Sequence, residues 1–330
     1  MDKISQKKKA AILSMIIGFL MFGGKLTAYF ITGSAAIFSD ALESIVHIFA
    51  TGMALFSIYL SAKPADESHF YGHGNIEYFS AGIEGILIIV AAIAIMYESV
   101  SALIFGVTIQ KLDIGILITT GAGIVNLFLG LYLIRTGKKT DSLILVADGK
   151  HVLTDSITSI GVIVGLGIVL LTDILALDPI IAIIIATNIL VTGFKLIKES
   201  VAGLMNETDK EILNELVAMI IKSKRNYWID VHQLRFWKSA NKLFIDFHLV
   251  LPFYFNIKEA HFEEEYISKT IKDRFPEAEL KIHFDYCWFD LCKFCLTENC
   301  EFRKEDLKEN IIWNKEKIIG KSVVPFRSSD

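Results

Sequence analysis

Charged residues are scarce. Asp, Glu, Lys and Arg make up 21% of the 330 residues, while 53% are hydrophobic, and the mean hydropathy is +0.48. So little charge does not suit an ordinary soluble domain and points to a membrane protein. Positive charge is not in excess either: the formal net charge is −4, so a general nucleic-acid-binding role has no electrostatic support. A cleavable signal peptide is missing. The basic residues 1–9 run into an apolar stretch of about 20 residues, long enough to span and without a small-residue cleavage site. Cysteine is absent until Cys287, and all four cysteines lie between Cys287 and Cys300. That grouping reads as thiolate chemistry or metal binding in a reducing compartment rather than a disulfide framework. No internal repeat is visible, and no H-E-x-x-H motif occurs.

What is present is a series of long apolar runs. Residues 10–31 form the first spanning segment, interrupted only by Lys25. Five more follow at about 34–60, 78–105, 114–134, 143–171 and 178–197. Each is near the roughly 20 residues that a bilayer crossing needs. Lys and Arg are distributed unevenly between the connections. Lys3, Lys7, Lys8 and Lys9 precede the first span, Lys63 follows the second, Arg135, Lys138 and Lys139 lie in a short basic loop at 135–142, and Lys195 and Lys198 end the sixth. The opposite connections hold only Lys111. This bias places both termini in the cytoplasm with an even number of spans.

Beyond about Asn206 charge becomes frequent and long apolar runs stop. Residues 209–223 carry an apolar helical stripe, and 230–237 and 243–251 read as strands around the turn Lys238-Ser239-Ala240-Asn241. A charged amphipathic helix over 258–275 and a strand over 280–284 complete an α-β-β-α-β order, which suits a two-layer α+β domain. The expected divisions are a six-span transport domain over 1–205, a soluble domain over 206–286, and a Cys-rich segment with a charged tail over 287–330.

Two spans carry ionisable pairs. Glu43 and His47 lie four residues apart in the second, as do His151 and Asp155 in the fifth. On a helix each pair occupies one face, one turn apart. Ionisable groups within spans are costly and usually face an interior pathway or a partner. Two imidazoles and two carboxylates suit a tetrahedral divalent ion, zinc first, with Fe2+, Mn2+, Co2+ or Cd2+ also accommodated. The plainer alternative is a pair of buried polar contacts locking helices together. Asp40 and Asp148 each precede their pair by three residues and read as outer-shell or entrance groups, or as helix N-terminal charges. A further polar cluster, Asp66, His69 and His73, lies between spans two and three. In the soluble domain His232 and His248 fall on neighbouring strands and His261 on the next helix. His283 and Asp285 share one face of the last strand. Cys287, Cys292, Cys295 and Cys300 form C-x4-C-x2-C-x4-C, a spacing that suits a four-thiolate zinc site; its likeness to iron–sulfur ligation is partial.

Ser39-Asp40-Ala41-Leu42-Glu43, Lys63-Pro64-Ala65-Asp66, Tyr71-Gly72-His73-Gly74 and Ala147-Asp148-Gly149-Lys150-His151 through Asp155 resemble the cation diffusion facilitator transporters. The resemblance runs from the first span to about Cys287. It implies six transmembrane helices, a C-terminal cytoplasmic ferredoxin-like α+β domain, a homodimer, and export of a divalent metal against protons from a bacterial inner (plasma) membrane. It implies a loop zinc site at Asp66, His69 and His73, and a cytoplasmic site, often binuclear, at His232, His248, His261, His283 and Asp285. Glu43 and His47 fall where the family usually has His or Asp followed by Asp, so a common carboxylate is exchanged for imidazole. Asn75 and Asn206 replace the Lys and Asp that often form a charged interlock at the dimer waist. The thiolate array is not a general feature of the family.

Other readings are a membrane-anchored metal sensor without transport and an intramembrane metalloenzyme. The enzyme would require a general base and an open water position beside the metal, which four protein ligands would close off. A secondary transporter moving divalent ions and protons through membrane lipid fits best.

Overall fold

The computed structural model describes residues 3–106, 112–140, 143–172, 174–239, 242–298 and 300–324. Among these, six helices are long and apolar enough to cross a bilayer: α1 (Lys3–Thr32), α2 (Ala35–Ser61), α3 (Ile76–Phe105), α4 (Leu112–Thr140), α5 (Leu143–Thr172) and α6 (Leu177–Leu204). At 1.5 Å per residue they are about 40–45 Å long, more than the roughly 30 Å hydrocarbon core, so their ends reach past it. Phe19, Phe30, Phe128 and Leu171 point outward. Apolar side chains on the outside and polar ones inside are the arrangement that lipid selects.

Several boundaries differ from the sequence expectation, α1 already starting at Lys3 rather than near residue 10. The basic stretch from 135 is not a loop: α4 continues to Thr140 and carries Lys138 and Lys139 in its last turn, where cations complement the helix dipole. Likewise α6 runs past residue 197 to Leu204. Lys111, residues 141 and 142 of the expected basic loop, and Ala240 and Asn241 of the expected hairpin turn lie outside the described residues.

Helices α3 and α6 pack together, as do α4 and α5. Both seams close at glycines. A Cβ on Gly149 would stand 2.8 Å from the Gly130 carbonyl oxygen and 2.8 Å from the Ile134 amide nitrogen; Gly85 and Gly193 face each other with equivalent distances of 3.0 Å. Small residues allow this backbone approach, which supplies van der Waals contact where lipid offers no hydrophobic drive. Asp178, in the first turn of α6, is fully buried and caps the start of α2. Its carboxylate accepts from the Ser34 hydroxyl (2.6 Å) and from the Ala35 and Ala36 amides (2.7 and 3.3 Å). Those amides have no partner within their own helix, and a carboxylate there also meets the positive end of the dipole.

Residues 205–330 form a second compact unit. Its elements are α7 (Lys210–Ser223), β1 (Asp230–Ser239), β2 (Lys242–Leu251), α8 (Ile257–Arg274) and β3 (Ala278–Tyr286), followed by a 3-10 turn (Phe289–Phe294) and α9 (Lys315–Ile319). The sheet order is β1-β2-β3, with β1 antiparallel and β3 parallel to β2. This is the expected ferredoxin-like α+β arrangement, α8 being the crossover that a parallel pair requires. Helix α7 starts on Asp209, whose side chain accepts from the Glu211 and Ile212 amides. Helix α8 starts on a capping box of Asn256 and Glu259. Leu216, Ile220, Val231, Phe247, Leu249 and Ile267 are fully buried between the layers. Leu291, Phe294, Ile311, Trp313 and Ile318 join the same core, so the charged tail is ordered by burying its few apolar residues.

β1 carries a bulge between His232 and Arg235, where Gln233 adopts φ 55°. Its amide donates to Gly320 O at 2.8 Å, so the segment after α9 satisfies the group that the bulge removes from the ladder. Asn206 also has a positive φ, 56°, a conformation that Asn tolerates better than most residues.

Gly149→Val inserts a branched side chain against the backbone of α4. It should destabilise the transmembrane unit by about 1–3 kcal/mol or more, read as a lowered thermal midpoint in detergent. Gly167→Val is the control, since nothing lies within 4 Å of a Cβ there.

Candidate metal centres

The intramembrane pairs meet. His47 from α2 and His151 and Asp155 from α5 each offer one ligand atom within 4.8 Å of the others. The two imidazole rings are 5.8 Å apart, and His151 Nε2 lies 3.9 Å from Asp155 Oδ2. Glu43 is outside this triad but lines a small cavity of about 50 Å³ with His151 and Asp155, alongside Asn188 and Thr192 of α6. Among the described residues, neither ring nitrogen of His47 has a hydrogen-bond partner, nor does Nε2 of His151. A buried polar atom left in this way costs about 1–3 kcal/mol. Lone pairs facing one another across a gap are donors suited to a cation.

Asp148 and Asp40 have different surroundings. Asp148 accepts from Ser14 (3.1 Å) and Thr51 (3.2 Å), and its Oδ1 lies 3.7 Å from His47 Nδ1. It lines a cavity of about 550 Å³ with Glu77, Glu84, His151, Lys195 and Glu199. These residues come from the end of the bundle where α2 finishes, α3 begins and α6 finishes. Asp40 instead is bound to Lys25 of α1, with Nζ to Oδ1 at 2.9 Å, and accepts from Ser159 of α5 at 2.7 Å. Both Lys25 and Asp40 are at most 1% exposed. Asp40 is one turn before Glu43 and Ser159 one turn after Asp155, so this ion pair lies a turn beyond the ligands, toward the other end of the bundle.

Ser159 and the acid Glu84 within the third span are absent from the sequence reading, and Lys25 enters it only as an interruption of the first span. Their signal was available: each is a polar group inside an apolar run. What was not visible was which helix each one faces.

In the loop between α2 and α3, Asp66, His69 and His73 also converge. Asp66 Oδ1 is 3.2 Å from His69 Nδ1, and Oδ2 is 3.2 Å from His73 Nε2. Desolvation pushes the Asp66 carboxyl upward. Hydrogen bonds from the Ser68 and His69 amides and the His69 ring outweigh it and hold the group below its ordinary value.

In the C-terminal domain the strand register sets the site. His232, His248 and His283 are direct neighbours across β1, β2 and β3. Asp285, two residues on along β3, reaches all three: Oδ2 is 3.6 Å from His232 Nε2 and 2.9 Å from His248 Nδ1, and Oδ1 is 3.5 Å from His283 Nε2. His232, His248 and Asp285 converge within 4.8 Å. Burial lowers the His232 pKa below its ordinary 6.5, so the ring stays neutral. His261 stands apart on α8, largely exposed, beside Glu264 and Glu265 at 3.5 Å each. It shares with Asp285 a cleft of about 400 Å³.

The four cysteines are free and line one cavity of about 440 Å³. Their sulfurs are not among the described ligand triads that lie within 4.8 Å of one another. Burial pushes the Cys287 thiol up from its ordinary value.

Six membrane-crossing helices with inward-facing metal-type ligands, joined to a ferredoxin-like domain that carries more of them, define a multi-pass metal-handling membrane protein. Residues 11–205 match the family model described as the cation efflux transmembrane domain, and residues 209–287 match that of the cation efflux protein cytoplasmic domain. The chain therefore belongs to the cation efflux, or cation diffusion facilitator, family and is a cation transporter rather than an enzyme. It is 33% identical to an uncharacterized transporter of Synechocystis sp., covering 83% of this chain and 89% of that one. It is 25% identical to the manganese efflux system protein MneP of Bacillus subtilis (82% and 93% covered). Identity is 27% to the cation-efflux pump FieF of Citrobacter koseri (84% and 92% covered).

Lys25→Met leaves Asp40 buried without its counterion and should cost about 3–5 kcal/mol. The double variant Lys25→Met/Asp40→Leu removes both charges and should recover most of that loss, measured as thermal midpoints of the purified protein in detergent.

Proposed function

We propose that this transporter exports a divalent cation, zinc first, in exchange for protons, through a site made by Glu43, His47, His151 and Asp155. The observation that carries the reading is the buried His47, with two unpartnered ring nitrogens, beside His151 and Asp155. With Lys25 balancing Asp40, the ionised Glu43 and Asp155 supply two negative charges, matching a divalent ion. The acid-lined cavity around Asp148, Glu77, Glu84 and Glu199 serves as the cytoplasmic approach; negative walls concentrate cations. The Lys25–Asp40–Ser159 network closes the opposite side and, as a neutral pair, adds no net charge to the site.

Binding needs neutral imidazoles and ionised carboxylates, so a metal entering the site displaces protons. Protons returning from the far side reoccupy the same groups and expel the metal. Alternating access of this kind couples export to proton entry. In this reading both termini and the C-terminal domain lie in the cytoplasm, the helices cross a bacterial inner membrane, and the protein works as a homodimer. Metal held by His232, His248, His283 and Asp285, with His261 at the edge of the adjoining cleft, biases the transporter between states. The Asp66, His69 and His73 loop supplies a further zinc site. Relative to the family's Asp-then-Asp form His47 adds an imidazole, but relative to its His-then-Asp form the donor set is the same, so this exchange alone does not select the metal. One relative is named for manganese efflux, so manganese is the competitor to measure.

In proteoliposomes with an acidic far side, zinc flux should exceed that of manganese and iron(II), and should collapse when the pH gradient is removed. Glu43→Ala and Asp155→Ala should each lower flux by about 10–100-fold or more, since a ligand matters at least as much as an outer-shell partner. Undiminished flux in both variants rejects the site. Flux that favours manganese rejects zinc while leaving the site intact. His248→Ala/Asp285→Ala should remove the zinc bound at the histidine site of the C-terminal domain while flux persists.

A further inference from the structure

The matched family region ends at residue 287. Cys292, Cys295 and Cys300 lie beyond it, yet the fold returns all three to Cys287 at the end of β3. Tyr254, Phe289 and Phe302 wall the cavity that these thiols share, and Phe302 packs against Phe253 at 4.8 Å and Tyr254 at 5.8 Å.

Backbone and side-chain hydrogen bonds tie the described backbone around the cavity. The Cys287 amide donates to Leu251 O (2.8 Å), the Cys295 amide to Cys292 O (3.2 Å) and the Arg303 amide to Cys300 O (3.1 Å). The Arg303 guanidinium then donates to the carbonyls of Cys292 (3.2 Å), Cys295 (2.9 Å) and Thr297 (2.8 Å). One planar cation thus gathers three carbonyls of the cysteine loop. The loop is curled around the cavity and its thiols are left facing it.

We infer that Cys287, Cys292, Cys295 and Cys300 form a four-thiolate site for a single soft divalent ion, zinc being the resident expected, separate from the transport pathway and from the histidine site. Four thiolates at about 2.3 Å from zinc stand about 3.8 Å from one another, so the side chains turn inward on a loop that is already tied. The thiols lose their protons to solvent as the metal binds. The role is structural: the ion pins the beginning of a tail whose end, through Gly320 O and Lys317, is fastened to β1 at Gln233, Val231 and Asp230. Lys321, Ser322 and Val323 of that tail line the cleft holding His232, His248 and Asp285. The site therefore holds in place the wall of a second metal centre.

The full chain, purified in detergent, stripped with chelator and kept reduced, is titrated with Co2+ alone. An intense sulfur-to-cobalt charge-transfer absorption should grow to saturation at one ion per chain and bleach when zinc is added. Cys292→Ser/Cys295→Ser should reduce it to baseline, whereas His248→Ala/Asp285→Ala should leave it unchanged. Cys300→His keeps four ligands in place of a lost thiolate, so it should still bind and retain about three quarters of the band. This variant keeps the test valid if the double serine variant fails to fold. Absence of the band, its survival in a folded Cys292→Ser/Cys295→Ser variant, or purification of the chain with iron and acid-labile sulfide would each overturn the single-ion site.

Discussion

An ionised group inside hydrocarbon must find its partner within the protein, and that constraint orders the transmembrane unit. Lys25 and Asp40 meet it by pairing with each other. Asp178 meets it by taking up the start of α2. His47, His151 and Asp155 meet it by facing one another. Apolar residues around these groups can be exchanged with modest effect, but each polar group fixes which helices stand side by side. The buried ion pair adds little net stability of its own. Its value is in making the alternative arrangements costly, because any packing that separates α1 from α2 strands a charge.

The sequence carried the parts of this that repeat with a helical or strand period. Spacings of four residues placed Glu43 with His47 and His151 with Asp155 on single faces, and a spacing of two aligned His283 with Asp285. Hydropathy located all six helices, though not the last turns of α4 and α6, because a helix does not end where its apolar stripe ends. Pairings across elements were hidden. Lys25 reads as an interruption in a span until Asp40 is seen opposite it. The carboxylate of Asp178 reads as a cap for its own helix, yet it caps another. The tail was illegible for a different reason: Leu291, Ile311, Trp313 and Ile318 follow no period, and they become core only once the sheet is there to receive them. His261, which resemblance grouped with the others, lies on an exposed helix face at the edge of the cleft it shares with Asp285.

In the C-terminal domain a single carboxylate carries unusual weight. Asp285 uses one oxygen toward His232 and His248 and the other toward His283. Two strand pairings and the bulge at Gln233 all serve to bring a row of imidazoles to that side chain. The same strand ends at Tyr286 and Cys287 follows directly, so the histidine row and the thiolate loop share one backbone support.

The glycine seams have a mechanical consequence. α4 with α5 and α3 with α6 are drawn to backbone contact at Gly130/Gly149 and Gly85/Gly193, which makes each pair a stiff plate. The candidate ligands do not sit within one plate: His151 and Asp155 ride on α5 and Glu43 and His47 on α2, while Asn188 and Thr192 of the other plate line the same small cavity. A divalent ion held there acts as a rivet through the joint. At the proposed site its presence would tie α2 to α5, and its loss would release that tie. The melting temperature of the transporter then becomes a gauge of its own cargo, rising with the concentration of whichever ion fits the joint best.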